Sequence, residues 1–455
     1  MVVLALISEP RAAVTAEEPQ MRVLVAEGPE LMIRSDGDQP LRVHGLGRRD
    51  RSFQRLRVRV RGDRLALTDG GGEGHRSLRI SSSDPRGIWL EQRRYHGDLL
   101  LLIRNGRIQA VNQLGIETYL PSVVGSEMPA KWPLAALQAQ AVAARTYALR
   151  QRRGKGDFDV KATVSSQVYK GIESETPRTR KAVETTRSLV LVHNGRLINA
   201  VFHSSSGGAT EPSGEVWQNQ LPYLVSVRDH DQHSPVHRWN QRFEAGDLRR
   251  RFKETGGVQG LHVLSTSSTG RVRSARIQGP SGSLVLTGRQ LRQRLGLKST
   301  MVRFSLLQDE PALASESPRS GKSVSESTPP LIGYWRDSAS GISSRSAPVA
   351  AGDSVLAPSS PPPPPPVSDW SRARSQTSTR GERVSSDLIV LEAQGRGYGH
   401  GVGMSQWGAH GLASQGAGFR DILRHYYRGA TIRPYQPADD PAVAFSTPSE
   451  PALKG

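Results

Sequence analysis

One carboxylate in this chain of 455 residues is set where a helix should end. Glu127 lies in the run SEMP, between two segments that proline marks as helix starts. Pro121 suits the first turn of one helix, and Pro133 can open a second. Pro129 disfavours helical geometry at Met128, so the first helix should stop there, with Glu127 in its last turn. At that end the helix dipole opposes a negative charge. Met128, Pro129 and Trp132 follow and could desolvate the carboxyl group. Both effects raise a carboxyl pKa, which is what a general acid at neutral pH needs. A lone Glu on a helix is more often a solvated surface residue, so position alone leaves both readings open.

A second stretch with chemical content is GRGYGHGVGMSQWGAHG, in which Gly395, Gly397, Gly399, Gly401 and Gly403 alternate. The spacing lacks the last glycine of G-x-G-x-x-G, and no G-K-[ST] is present, so a phosphate loop is a poor fit. A tight, irregular backbone that approaches another segment or a ligand fits better. It would carry His400, Ser405, Gln406 and Trp407 on a fixed loop, with Trp407 able to stack on a sugar face. A loop that packs only against its own core remains the alternative. His203 followed by three serines invites comparison with a hydrolase, but no G-x-S-x-G elbow surrounds it. His230, His233 and His237 in DHDQHSPVH have metal-like spacing. They sit in a Pro-containing loop without H-E-x-x-H geometry, and no metal or cofactor is expected.

The elements that must position these groups follow from local pattern. Residues 21–113 read as short strands that alternate apolar and polar residues, with Asn105-Gly106 as a hairpin turn. Arg55, Arg57, Arg59 and Arg61 then form one solvated strand face. The helix after Pro133 runs to about Arg150. Leu134, Leu137, Ala141, Ala144 and Ala148 make its packed stripe, and Gln138, Ala141 and Arg145 lie near one another. VKATVSSQVYKG reads as a strand ending in a turn, and TPRTRKAVETT as a helix. A hairpin around Asn194-Gly195 leads to a Ser/Gly-rich loop. Trp217, Tyr223 and Trp239 are anchors in the loop region 209–243. Helices and strands mix over 244–310. Residues 311–386 are rich in Ser and Pro, with six prolines at 361–366, and read as a disordered insertion. A strand in DLIVLEAQ leads into the glycine-rich stretch, and GFRDILRHYYRGATI reads as a helix and a short strand.

The fold class expected is α+β: a mixed core of short strands around a central Ala-rich helix, with a β-rich N-terminal region. The segments are 1–20, a trimmed export signal or a disordered terminus; 21–113, β-rich; 114–310, the first part of the core; 311–386, the insertion; 387–436, the glycine-rich loop and last helix; and 437–455, a disordered tail. The net charge is +19, which favours polyanions: nucleic acid, an anionic membrane surface or an acidic wall polymer. No helix-turn-helix signal or aromatic-basic RNA motif supports nucleic acid. The chain has no cysteine, which rules out disulfides and thiolate metal sites. No apolar run approaches the ~20 residues of a membrane span. MVVLALI at the start resembles a weak or truncated signal-peptide apolar region.

The run ETYLPSVVGSEMPAKWPLAALQAQAVAARTYAL resembles the signature of the stage II sporulation protein D / amidase enhancer family. SSQVYKG, INAVFHSSSGGATE, VW…YLVSVRD, LRQRLGLKS and GRGYGHGVGMSQWGAHGLA…ILRHYYRGATI fit in the same order, from about Gly115 to Tyr435. The resemblance implies an extracytoplasmic protein, in periplasm or cell wall, acting on peptidoglycan glycan strands. It implies a lytic transglycosylase that cleaves the MurNAc–GlcNAc bond without water and leaves 1,6-anhydro-MurNAc. Glu127 would be the acid of its E-M-P motif. Arg145 falls on a position associated with activity, where it could hold a substrate carboxylate. Gln138, Gln167, Tyr169, His203, His400, Ser405, Gln406 and Trp407 are the cleft candidates. The alternative is a non-catalytic amidase enhancer that binds glycan and stimulates a cell-wall amidase. Two departures stand out: the H-S-x-x-G-G loop carries no cysteine for the zinc seen in some relatives, and the 311–386 insertion is outside the family pattern.

Overall fold

Apolar residues spaced by two in the first hundred positions pair as two largely antiparallel sheets. In the computed structural model, which describes residues 18–46, 51–67, 74–152, 154–163, 166–308 and 389–439, the larger sheet has seven strands. Its centre is the pairing of Gln20–Gly28 with Arg107–Gly115 and of Arg107–Gly115 with Asp98–Arg104. Asn105 and Gly106 both have positive φ, the geometry of the expected hairpin turn. The second sheet has five strands and includes Arg55–Arg61. There Leu56 and Val58 are fully buried while the four arginines point outward, so the Arg row is a solvated strand face. The chain is α+β, as the sequence pattern indicated.

Helix α1 (Ile116–Glu127) continues directly from the Arg107–Gly115 strand. Pro121 is therefore inside the helix and not in its first turn. The earlier start follows from Ile116, Tyr119, Leu120, Val123 and Val124, all buried in the main core. Burying that face outweighs the one backbone hydrogen bond that Pro121 cannot donate. At the other end Met128 is extended, as the residue before a proline should be. Helix α2 (Leu134–Gln151) opens after Pro133, and α1 and α2 pack on each other and on α3 (Pro177–Glu184). Thr176 and Thr179 form a reciprocal capping box at the start of α3. Among the described residues of VKATVSSQVYKG, only Val160–Lys161 is strand; Gln167, Val168 and Tyr169 run as buried irregular backbone. Their backbone groups serve the site described below.

After the short helix α4 (Ser213–Val216), residues 238–308 and 389–396 form a second apolar cluster around Trp239, Phe243, Phe252, Leu291 and Leu391. It contains α5 (Ala245–Arg251) and α6 (Gly288–Leu295). The strand Ile389–Arg396 lies between Arg238–Phe243 and Val302–Gln308, paired with both. Gln308 and Ile389, on either side of the expected insertion, are direct partners. The insertion itself, the residues before 18 and those beyond 439 lie outside the described residues. Asp439, the last of the described residues, is paired with Arg433 at 2.6 Å. Among the described residues no helix is long and apolar enough to cross a membrane.

The glycine-rich stretch leaves the pinned strand and returns to the main core as Met404–Ser405, which pairs in parallel with Phe202–His203. Gly403 makes that return possible. Its φ is +73°, and a Cβ there would stand 2.1 Å from the Val201 carbonyl oxygen. Gly403→Ala is expected to lower unfolding free energy by roughly 2 kcal/mol or more, from left-handed backbone and backbone contact together. A fall in Tm checks it; an unchanged Tm would mean that this junction is not tightly held. The stretch then enters α7 (Gln406–Ser414), followed by α8 (Phe419–Tyr426). Gln406 and Trp407, expected on a loop, are thus the first turn of a helix capped by Ser405, whose Oγ accepts the Gly408 N–H at 3.1 Å.

Candidate active site

Three distant segments meet at Glu127. The residue closes α1 and is only 8% exposed. Its Oε1 accepts the Val168 N–H at 2.9 Å, and its Oε2 accepts the Gln406 side-chain amide at 3.1 Å. Burial pushes the carboxyl pKa up to about 7, against the lowering pull of those two donors and of the Lys170 charge. Burial wins because two hydrogen bonds replace only part of the hydration a free carboxylate enjoys. Gln406→Leu removes one donor from the charged form, so Glu127 is expected to titrate about one unit higher. Carbon-13 NMR titration of the Glu side chains checks this, and an unmoved Glu127 resonance would refute it.

Gln167 and Tyr169 flank Val168 and hold its N–H in place. Gln167 accepts from the Tyr119 hydroxyl at 3.1 Å and donates to the Ala144 carbonyl at 3.1 Å, tying the segment to α1 and α2. The Tyr169 hydroxyl donates to Asn112 Oδ1 at 2.8 Å, and its ring packs against Tyr119 and Tyr95. Both residues are essentially inaccessible, so they shape the site from behind and do not line an open cleft. Trp407 is half-buried and lies 4.7 Å from Trp132 between ring centroids, with His410 against both. Trp132 stands out in the sequence only as a group that could desolvate Glu127, and His410 does not stand out at all; the fold alone brings both rings to Trp407.

Arg145 differs from expectation. Its guanidinium is fully buried and forms a two-point pair with Glu117, at 2.9 and 2.6 Å. It also donates to the carbonyls of Leu189 and Val183. Glu117 in turn accepts the Ser188 N–H at 3.1 Å. Arg145 therefore clamps α1, α2 and the strand Leu189–His193 together, and its donors are turned to protein groups, not toward an incoming carboxylate. Gln138 likewise donates to Thr185 Oγ1 at 2.9 Å, at the junction of α2 with the end of α3.

The remaining candidates form a second buried cluster. The His203 ring bonds the Val402 carbonyl through Nδ1 at 3.1 Å and Ser206 Oγ through Nε2 at 3.0 Å. A carbonyl can only accept, so Nδ1 carries the proton and Ser206 donates to Nε2. Burial, with the nearby His400 and Arg271, pushes His203 well below the usual imidazole range. This Ser–His pair is enclosed in the core and offers no exposed nucleophile. His400 is pushed down to about 4 by burial and by Arg292 and Arg271, and its ring lies tilted against those of His203 and Trp217, each 5.4 Å away between centroids.

The sequence reading fixed on the histidines of DHDQHSPVH and missed its carboxylates. Asp229 and Asp231 are buried beneath the serine loop. Asp229 accepts the Tyr426 hydroxyl at 2.6 Å and the Ser206 N–H at 3.3 Å. Asp231 accepts the Gly207 N–H at 2.7 Å, the Ser205 hydroxyl and His237 Nδ1 at 3.0 Å. Burial and the neighbouring Asp231 charge push Asp229 up. For Asp231 burial acts the same way, but donors from His237, Ser205 and Gly207 outweigh it and hold the group low. The pair thus fixes the loop that pairs with Ser405 and so aims α7 at Glu127. The D-x-D spacing was the available signal.

Comparison with known proteins matches residues 104–193 to the family model described as Stage II sporulation protein. That span holds α1, α2 and the Val168 segment. The chain is 31% identical over 317 residues to the Amidase enhancer of Bacillus subtilis (strain 168), covering 70% of this chain and 40% of that protein. It is 27% identical over 345 residues to Stage II sporulation protein D of the same organism, covering 71% of this chain and 76% of that protein. It is 26% identical over 344 residues to Stage II sporulation protein D of Bacillus amyloliquefaciens, covering 71% of this chain and 75% of that protein.

Proposed function

Because the chain belongs to the stage II sporulation protein D / amidase enhancer family, we propose that it acts on peptidoglycan as a lytic transglycosylase with Glu127 as its acid. The observation that carries this reading is a buried carboxyl group, pushed up to about 7, between a backbone N–H and a side-chain amide. Near neutral pH a large fraction of Glu127 is protonated and can donate to the glycosidic oxygen. The Val168 and Gln406 donors and the Lys170 charge then stabilise the carboxylate that remains. That carboxylate takes the C6 hydroxyl proton as O6 attacks C1, closing the 1,6-anhydro ring. One group serves both steps in turn, so the paired carboxylates of a hydrolase are not required. Trp407, half-buried next to Gln406, offers an aromatic face for a sugar ring, with Trp132 buried behind it. The high net positive charge suits a wall polymer that bears carboxylates, and such a substrate places the protein outside the cytoplasm.

The second reading is glycan binding that stimulates a cell-wall amidase, favoured by the relative named Amidase enhancer. Incubating purified protein with glycan strands stripped of their peptides separates the two. Anhydro-muramyl ends that vanish in Glu127→Ala support cleavage; wall binding without product supports the enhancer.

A further inference from the structure

Buried polar side chains nearly always find partners, and a site that leaves one empty calls for a ligand. Gln140, in the middle of α2, is wholly inaccessible, and neither its Oε1 nor its Nε2 meets a hydrogen-bonding group. Ser126 Oγ, one residue before Glu127 and 1% exposed, is also without a partner. Helical spacing puts Gln140 on the same side of α2 as Ala144 and Tyr147. Ala144 holds Gln167, next to the Val168 that bonds Glu127. Tyr147 is near enough to Tyr119, and Tyr119 to Glu127, for their charges to be felt. This side of α2 therefore fronts the end of α1. Globular proteins meet buried polar groups that lack a protein partner with internal waters.

We propose that Gln140 and Ser126 hold an ordered internal water against the Glu127 carboxyl group, making Gln140 a positioning residue for the acid. The water accepts from the Gln140 amide and the Ser126 hydroxyl and donates to a Glu127 oxygen, a third donor beside Val168 and Gln406. The role as a positioning residue, though not the water itself, rests on reading Glu127 as the acid. Other titratable groups around the carboxyl are Tyr119 on α1, Tyr147 on α2, Lys170 after Tyr169, and His410 in the aromatic cluster on α7. Burial pushes both tyrosines up and His410 down, so none of these three gains charge as Glu127 titrates near neutrality.

The test is carbon-13 NMR titration of Glu127 in the full chain, with a crystal structure at a resolution that shows waters. Gln140→Met, which keeps volume but loses both polar atoms, is expected to move the Glu127 titration up by about one unit. Ser126→Ala should move it in the same direction by less, and serves alone if Gln140→Met does not fold. The pH at which cleavage falls off should follow. An unmoved titration in both variants overturns the proposal, as does a Gln140 amide bonded to protein groups with no water beside it. The titration reads whether or not glycan is cut, so a shift without any cleavage in the parent protein removes the catalytic reading and leaves the water standing.

Discussion

Glu127→Gln is expected to cut the yield of anhydro-muramyl ends by about 10²–10⁴-fold, the range for losing a positioned general acid, while wall binding persists. The amide keeps the shape of the carboxyl group, so the loss would report the proton and not the fold. The same variant carries a stability signature. In the folded protein the carboxyl is raised from 4.5 to about 7, so the native state holds its proton more tightly than the unfolded chain does. Stability from this group is then fully present below pH 4.5 and is lost as pH rises to about 7. Glu127→Gln removes that loss, and should be more stable than the parent at pH 8 by up to about 3 kcal/mol, with little difference at pH 4. Chemical denaturation at the two pH values checks it. Equal stability at pH 8 would show that the carboxylate is well accommodated, and product undiminished in the variant would end its assignment as the acid.

Arg145→Ala should act through folding. Removing one member of a buried pair leaves the Glu117 carboxylate uncompensated, at a cost of roughly 3–5 kcal/mol. Glu117→Ala should cost a similar amount. Glu117→Leu combined with Arg145→Met should be milder than either single alanine change, because no lone charge remains buried. Denaturation midpoints and glycan cleavage measured on the same preparations distinguish the roles. An Arg145→Ala protein with a normal midpoint and no cleavage would overturn the clamp and restore a direct role at the substrate. Loss of both in Arg145→Ala and in Glu117→Ala supports the clamp.

The contrast between these two residues shows where local reasoning works. Glu127 ends its helix because Pro129 restricts the residue before it, a constraint that acts between neighbours. Asn105-Gly106 and Asn194-Gly195 turn for the same kind of reason: both residues must take positive φ, and few residue types do so cheaply. The buried and exposed sides of Arg55–Arg61 follow from alternation alone. Arg145 could be placed on a helix face from its spacing, but spacing does not name the group across from it. Glu117, 28 residues earlier, is that group.

Residue types and short-range geometry were enough to set Glu127 at a helix end and to give the mixed α+β character of the chain, while the stripe expected on α2 is in fact a helix buried on almost every side, with Leu134 only partly buried. They were not enough to show that Glu127 is buried, or what holds it. Gln406 reaches Glu127 across 279 positions, and it does so because Gly403 admits the Val201 carbonyl and the strand Met404–Ser405 pairs with Phe202–His203. The pKa of Glu127 is a property of that assembly: desolvation depends on every segment that excludes water from the carboxyl group, and those segments become neighbours only when the chain folds.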